Sequence, residues 1–181
     1  RGIQGPAQQY WWTDIDLYVS QYVGTPFVFG FNKIGSGCGL IAPKAVGQIG
    51  PTLYWMSQKQ FYSVSSTGGV QPIPCSVWDY VFQNLNEDQT DKIRCAPNSQ
   101  FNEITWFFPS TGQTENDSYV TYNVLYNEWD VGKLDRSAWV NQSIFGAPLA
   151  GSVDGYVYQH DATGIYNLGN DDIPINAYFE T

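Results

Sequence analysis

Short apolar runs broken by turn residues recur along the chain. Leu53-Tyr54-Trp55-Met56 is followed, after Ser57-Gln58-Lys59, by Gln60-Phe61-Tyr62-Ser63-Val64. Further on, Glu103-Ile104-Thr105-Trp106-Phe107-Phe108 leads into a polar loop, Pro109 to Asp117, and then Tyr119-Val120-Thr121-Tyr122-Asn123-Val124. A weaker copy is Leu149-Ala150-Gly151-Ser152-Val153, an Asp154-Gly155 pair, and Tyr156-Val157-Tyr158. Each copy predicts two strands joined by a turn, and Asp-Gly between apolar runs is a strong hairpin signal.

The copies fall about 50 and about 45 positions apart, the range of β-propeller blades. One four-stranded sheet cannot bury both of its faces; stacking sheets around an axis covers them. The predicted fold is therefore all-β, with propeller-like repeats of four-stranded antiparallel sheets that form part of a larger ring. The 181 residues read as a single all-β unit with blades at about 10–34 (partial), 38–76, 91–134 and 136–169, and the start of another at 173–181. In the first, incomplete blade only Asp16–Val23 and Thr25–Asn32 read as strands. The second has Leu40–Ile49 as inner and Val70–Pro74 as outer strand. The third has Lys92–Pro97 and Leu125–Leu134, the fourth Ala138–Phe145 and Ile165–Leu168. Ser76–Asn86 is the one stretch read as helical. Three and a half units do not close a ring, so the chain is expected to be a fragment of a longer protein, with a plain β-sandwich as the alternative architecture.

Composition agrees with strands and tight turns: 43% hydrophobic and 17% aromatic residues, 14% charged, with 18 glycines and 10 prolines. No run approaches the roughly 20 apolar residues of a membrane-spanning helix, and Arg1–Gln9 has no apolar centre of the signal-peptide kind. The formal net charge is −9 with eight Lys and Arg, which argues against a phosphate-neutralising surface. Cys38, Cys75 and Cys95 are odd in number and widely spaced, which favours three buried thiols over a disulfide framework, although one bridge and one free thiol would also fit.

The residues that could carry chemistry are sparse. His160 is the sole histidine, next to Asp161 in a turn, with no Gly-x-Ser-x-Gly elbow and nothing that marks it as a partner of a cysteine. Acids cluster in loops: Glu87, Asp88 and Asp91; Glu115 and Asp117; Asp171 and Asp172. Asn170-Asp171-Asp172, and Asp154 with Asp161, could offer oxygens to Ca²⁺ but match no calcium-loop spacing, and turn chemistry explains them as well. Gly35-Ser36-Gly37-Cys38-Gly39 lacks a following Lys-Ser/Thr and reads as a flexible connection. No catalytic, cofactor or metal set is assigned, and the chain is read as non-enzymatic. The aromatics Trp11, Trp12, Trp78 and Tyr80, with Phe82, are the candidate contacts for a sugar or a protein partner; packing is the competing account.

Trp12 to Thr181 resembles the β-propeller proteins of the tail and neck of short-tailed bacteriophages, of the packaged-DNA stabilisation and tail nozzle type. The matching pieces are Trp12-Thr13-Asp14-Ile15-Asp16-Leu17, Ile34 to Ala45, the pairing of Leu53-Tyr54-Trp55 with Gln60 to Val64, and Ile104 to Pro109 followed by Tyr119 to Asn123 and Asn127-Glu128-Trp129. The resemblance implies a virion component without catalytic residues, made in the host bacterial cytoplasm and located in the tail or neck. It also implies a homo-oligomeric ring, of six-fold symmetry, contacting other tail proteins around a channel through which DNA passes. An acidic wall is compatible with such passage. A carbohydrate-binding propeller module is the alternative.

Overall fold

A computed structural model describes residues 1–4, 8–66, 68–143 and 146–161, and the backbone of 165–168 and 171–174. The described chain is all-β apart from one helical turn pair. The first sheet contains β1 (Gly2–Gln4), β2 (Gln9–Trp12), β3 (Asp16–Tyr22) and β4 (Phe29–Ser36). The second contains β5 (Val46–Ile49), β6 (Thr52–Met56), β7 (Phe61–Ser65) and β8 (Val70–Ile73). The helix α1 (Trp78–Phe82) and a 3₁₀ segment (Glu87–Lys92) lead into the third sheet, β9 (Arg94–Asn98), β10 (Glu103–Phe108), β11 (Ser118–Asn123) and β12 (Glu128–Lys133). The fourth has three strands, β13 (Ala138–Val140), β14 (Leu149–Gly151) and β15 (Val157–Gln159); β16 (Ile165–Leu168) pairs with β17 (Asp171–Pro174) alone. Every sheet runs in sequence order and every pairing is antiparallel, as short connections dictate.

The core lies between sheets. Trp12 of the first sheet meets Trp55 of the second edge-on at 5.5 Å, Phe61 of the second meets Trp106 of the third at 4.7 Å, and Phe107 of the third meets Trp139 of the fourth at 6.3 Å. The first strands also adjoin: β5 runs beside β9, and β9 beside β13. Gly47 permits the first approach, because a Cβ there would sit 2.7 Å from Cys95 Sγ and 3.3 Å from Pro97. The Cys95 N–H donates to the Lys44 carbonyl at 2.8 Å across the same seam.

Several expectations are corrected. The first unit is a full four-stranded sheet, because Gly2–Gln4 and Gln9–Trp12 pair ahead of the two strands read from the pattern. The inner strand of the second unit is Val46–Ile49, shorter than 40–49, since Leu40 to Ala45 is spent on a strap whose Leu40 N–H reaches the Thr13 carbonyl. Ile165–Leu168 does not complete the fourth sheet. The chain leaves β15 at His160, Asp161 takes a left-handed φ of 58°, and Ile165–Leu168 ladders with 171–174 instead. The stretch read as a further blade, 173–181, lies outside the described residues apart from the backbone of 173 and 174. The Asp154-Gly155 hairpin forms as read, with Gly155 at φ 88°, and the helical reading of Ser76–Asn86 contains α1.

Gly35 to Gly39 is a packed strap where the sequence reads as a flexible connection. Cys38 is buried, its carbonyl accepts the Trp55 indole N–H at 2.7 Å, and the Gly37 carbonyl accepts the Tyr62 hydroxyl. All three cysteines are free thiols. Burial pushes the Cys75 thiol up to about 11 and raises those of Cys38 and Cys95, so none is poised as a thiolate.

Candidate functional site

The repeated tryptophans mark the seams between sheets. Trp55 stands on the second strand of its sheet, opposite Val46 on one side and Tyr62 on the other. Trp106 holds the same place in the third sheet, opposite Cys95 and Val120. Both are fully buried. Each indole N–H crosses to backbone outside its own sheet: Trp55 to the Cys38 carbonyl at 2.7 Å, Trp106 to the Ala45 carbonyl at 2.9 Å. Trp139 of the fourth sheet reaches the Pro97 carbonyl of the third at 2.9 Å. An indole thus supplies apolar area and one directional bond that fixes the approach of its neighbour.

Trp11 occupies the equivalent place in the first sheet, opposite Gly2 and Tyr18. Here no sheet among the described residues covers the ring: Trp11 is 40% exposed, and its indole turns back to Ser20 Oγ at 2.9 Å. Its ring lies 6.4 Å from Phe31, and Phe29 lies 6.2 Å from Tyr22. The β3–β4 hairpin continues the patch through Val23, Phe27 and Val28, with Phe27 76% exposed. No charged residue lies between Asp16 and Lys33. These hairpin aromatics were missed as contact residues, since their alternation predicts strands and says nothing of what covers them; the long uncharged run was the available signal.

Of the four contact candidates, only Trp11 is strongly exposed. Trp12 is core, because neighbours on a strand point to opposite faces and its face is the one packed on Trp55. Trp78 is half-buried, its indole bonded to the Lys59 carbonyl at 2.8 Å and its ring against Phe82. Tyr80 is half-buried against the core. The structure does not bring Trp11 and Trp78 together: they belong to the outer face of the first sheet and to the helix after the second.

A shallow cavity of about 410 Å³ opens between the first two sheets, lined by Asp14, Ile15, Gly39, Lys59, Gln60 and Tyr62 among others. The loop acids serve local structure. Asp117 accepts from the Ser110 N–H and hydroxyl at 2.7 Å each and pairs with Lys133 at 2.9 Å; Glu115 pairs with Lys92. Asp154 accepts from the Tyr158 hydroxyl and the Tyr156 N–H, while Asp161 accepts from Asn98, so this pair is occupied separately. The side chains of Asp171 and Asp172 lie outside the described residues. Among the described residues no group of three or more His, Cys, Asp or Glu side chains gathers to hold a metal ion, and no helix is long and apolar enough to cross a membrane.

His160 belongs to a packed node at the seam of the third and fourth sheets. Arg136, almost wholly buried, donates through Nε to His160 Nε2 at 2.8 Å and lies over the Tyr158 ring. Its carbonyl accepts from Asn116 Nδ2. Burial, then the Arg136 charge, hold the imidazole down to about 4, against the opposing pull of Asp161. With Nε2 engaged as an acceptor, the ring is a structural acceptor and no free base. A folded-state value below the unfolded 6.5 means that the unfolded chain binds the extra proton between pH 6.5 and 4. Stability therefore falls as pH drops through that window and is unaffected by this group above it. The expected loss is on the order of 2 kcal/mol after allowance for solvent screening. It would be read as a lower urea midpoint at pH 4.5 than at pH 7, with His160→Gln flattening the difference.

No protein-family model matches the chain, and no curated protein matches it.

Proposed function

We propose that the chain is a structural scaffold: consecutive blades of a β-propeller that forms part of a larger ring in the tail or neck of a tailed phage, joining neighbouring subunits around the DNA channel. The observation that carries the reading is the repeated seam, in which a buried tryptophan at one register position bonds to backbone outside its sheet while the first strands of successive sheets adjoin. That is how stacked sheets cover faces they cannot bury alone. The phage assignment rests on the sequence resemblance. The partners are further copies of the chain and other tail proteins, and DNA passes without base-specific contact, in keeping with a net charge of −9.

The test is a mass-spectrometric census of purified phage particles together with the intact mass of the parent protein. Peptides of this chain inside the particle, in a parent of more than twice its length, are the expected result. A free species of 20.3 kDa absent from particles would overturn the virion role. The glycan-binding alternative has the exposed Trp11 and the cavity beside Lys59 in its favour. On the scaffold reading a glycan array probed with folded chain stays blank; a signal lost in Trp11→Ala or Trp78→Ala would replace that reading with the alternative.

A further inference from the structure

The seam between the third and fourth sheets gathers negative charge at one end. Asn98 closes β9 and Glu103 opens β10. The two are register partners, so their side chains leave the same face of the sheet. Phe107, on that face, packs against Trp139 of the fourth sheet. Asp161, just past β15, comes in from the fourth sheet, and its Oδ2 accepts from Asn98 Nδ2 at 2.8 Å. Burial pushes the Glu103 carboxyl up, and the charges of Asp161 and Asp130 add to it against a hydrogen bond from the Asn123 side chain. Among the described residues none of these three acids has an ion pair. Arg136, the buried cation of the seam, is taken by Asp135, His160 Nε2 and the Tyr158 ring.

Asn98 supplies a separate observation. It is only 6% exposed, and its Oδ1 is a buried acceptor with no donor among the described residues. An ionised carboxylate only accepts, so the amide must turn Nδ2 toward Asp161, which settles its orientation. Oδ1 therefore stands beside the Asp161 carboxylate and across the ladder from Glu103. Its protein neighbours there cannot satisfy it, because ionised Glu103 and Asp161 are themselves acceptors. A water molecule would serve Oδ1 but leave two like charges facing each other. A cation answers all three oxygens at once.

We infer that a hard divalent cation, Ca²⁺, binds at this seam between the Asn98 amide oxygen and the carboxylates of Glu103 and Asp161, clipping the fourth sheet to the third. Two carboxylates alone make no metal set; the amide oxygen is the third donor. All three donors are oxygen, which suits a hard cation and not a thiolate- or imidazole-seeking metal. Three protein oxygens leave several of the six to eight positions of Ca²⁺ to water, so binding is weak, about 10⁻⁴–10⁻³ M. Mg²⁺ demands a near-octahedral shell and sheds water reluctantly, so a carbonyl fixed by the ladder fits Ca²⁺ better. The site is independent of the virion role and would join two sheets whichever function the stack serves.

Tb³⁺ luminescence on the full chain, freed of metal by chelation, tests the site. Tb³⁺ stands in for Ca²⁺ and emits when an excited indole lies near, as Trp139 does beside His160. A saturable signal is expected, displaced by Ca²⁺ at about 0.1–1 mM and by Mg²⁺ only at roughly tenfold higher concentration. Glu103→Gln and Asp161→Asn should each weaken Tb³⁺ binding at least about tenfold, with unchanged circular dichroism showing that both fold. Asp88→Asn removes the same charge from an exposed loop and should change nothing, which separates the site from the general attraction of a chain of net charge −9. In a second readout, about 10 mM Ca²⁺ should raise the melting temperature of wild type by on the order of 5 °C and that of the two site variants by under about 1 °C. No saturable signal, an equal loss in Asp88→Asn, or full binding in either site variant overturns the cation clip and leaves Asn98 Oδ1 to water. Displacement by Mg²⁺ as readily as by Ca²⁺ overturns the choice of Ca²⁺.

Discussion

Trp106→Ala is expected to cost the fold about 3–5 kcal/mol, the range for deleting a buried aromatic. The ring is fully buried, touches Phe61 at 4.7 Å and stacks on Trp129 at 6.3 Å, so its removal opens a cavity bounded by two sheets that cannot both move in. The Ala45 carbonyl also loses its indole donor inside the seam, where water does not replace it. Native domains hold only about 5–15 kcal/mol in reserve, so this one truncation removes a large share. At about 2–4 °C per kcal/mol for a chain of this size, the melting temperature should fall on the order of 10 °C. Trp11→Ala is the internal comparison. It stands at the same register position and is already 40% exposed, so the isolated chain should lose under about 1 kcal/mol. Equal losses at the two sites, measured by thermal and urea unfolding, would refute the assignment of Trp106 to a buried seam and Trp11 to an open face.

Gly39→Ala should be nearly as damaging, by the opposite mechanism. A Cβ at position 39 would lie 2.1 Å from the carbonyl carbon and oxygen of Asp14 and 2.4 Å from the Ile15 nitrogen. The obstacle is backbone, which cannot rotate away as a side-chain tip can. The turn that supplies it is fixed by Thr13, whose N–H and hydroxyl both bond the Asp16 carbonyl. One methyl would therefore push the strap off the first sheet and loosen the Leu40 N–H bond to Thr13, at a cost of about 3 kcal/mol, the upper part of the overpacking range. Gly69→Ala is the control. Nothing lies within 4 Å of its Cβ and its φ is ordinary, so the change should be neutral or slightly stabilising. Indistinguishable melting temperatures for the two variants would mean that the strap does not pack as described.

Strand identity was legible because it depends on neighbours a few residues apart. The runs around Trp55, Phe61, Trp106 and Tyr122 alternate over lengths that only strands sustain, and Asp154-Gly155 names its own turn through the left-handed φ that Gly155 adopts. The roughly fifty-residue interval between Trp55 and Trp106 likewise announced equivalent places, and both proved to be the same register position. Gly2–Gln4 and Ile165–Leu168 were misread for a related reason. A three-residue strand has too few positions to show a period, and four apolar-rich residues carry no mark of which edge they will join.

The candidate site was far less legible. Trp11 and Trp12 are chemically identical and adjacent; pleating sends one outward and the other onto Trp55, and the sequence does not say which. Phe29 and Phe31 look like any buried alternation, yet both are exposed among the described residues. His160 reads from the sequence as a lone histidine in a turn beside Asp161, yet Arg136, 24 positions away, closes over it. By itself, then, the sequence determined the all-β class, most of the hairpins and the equivalence of the repeated tryptophans, because backbone propensity, turn chemistry and period are local. Which face of each sheet is covered, which glycine must stay bare and which aromatic is left to a partner were decided by the tertiary structure alone, because burial is a property of pairs of distant surfaces, and it depends on what arrives on the other side.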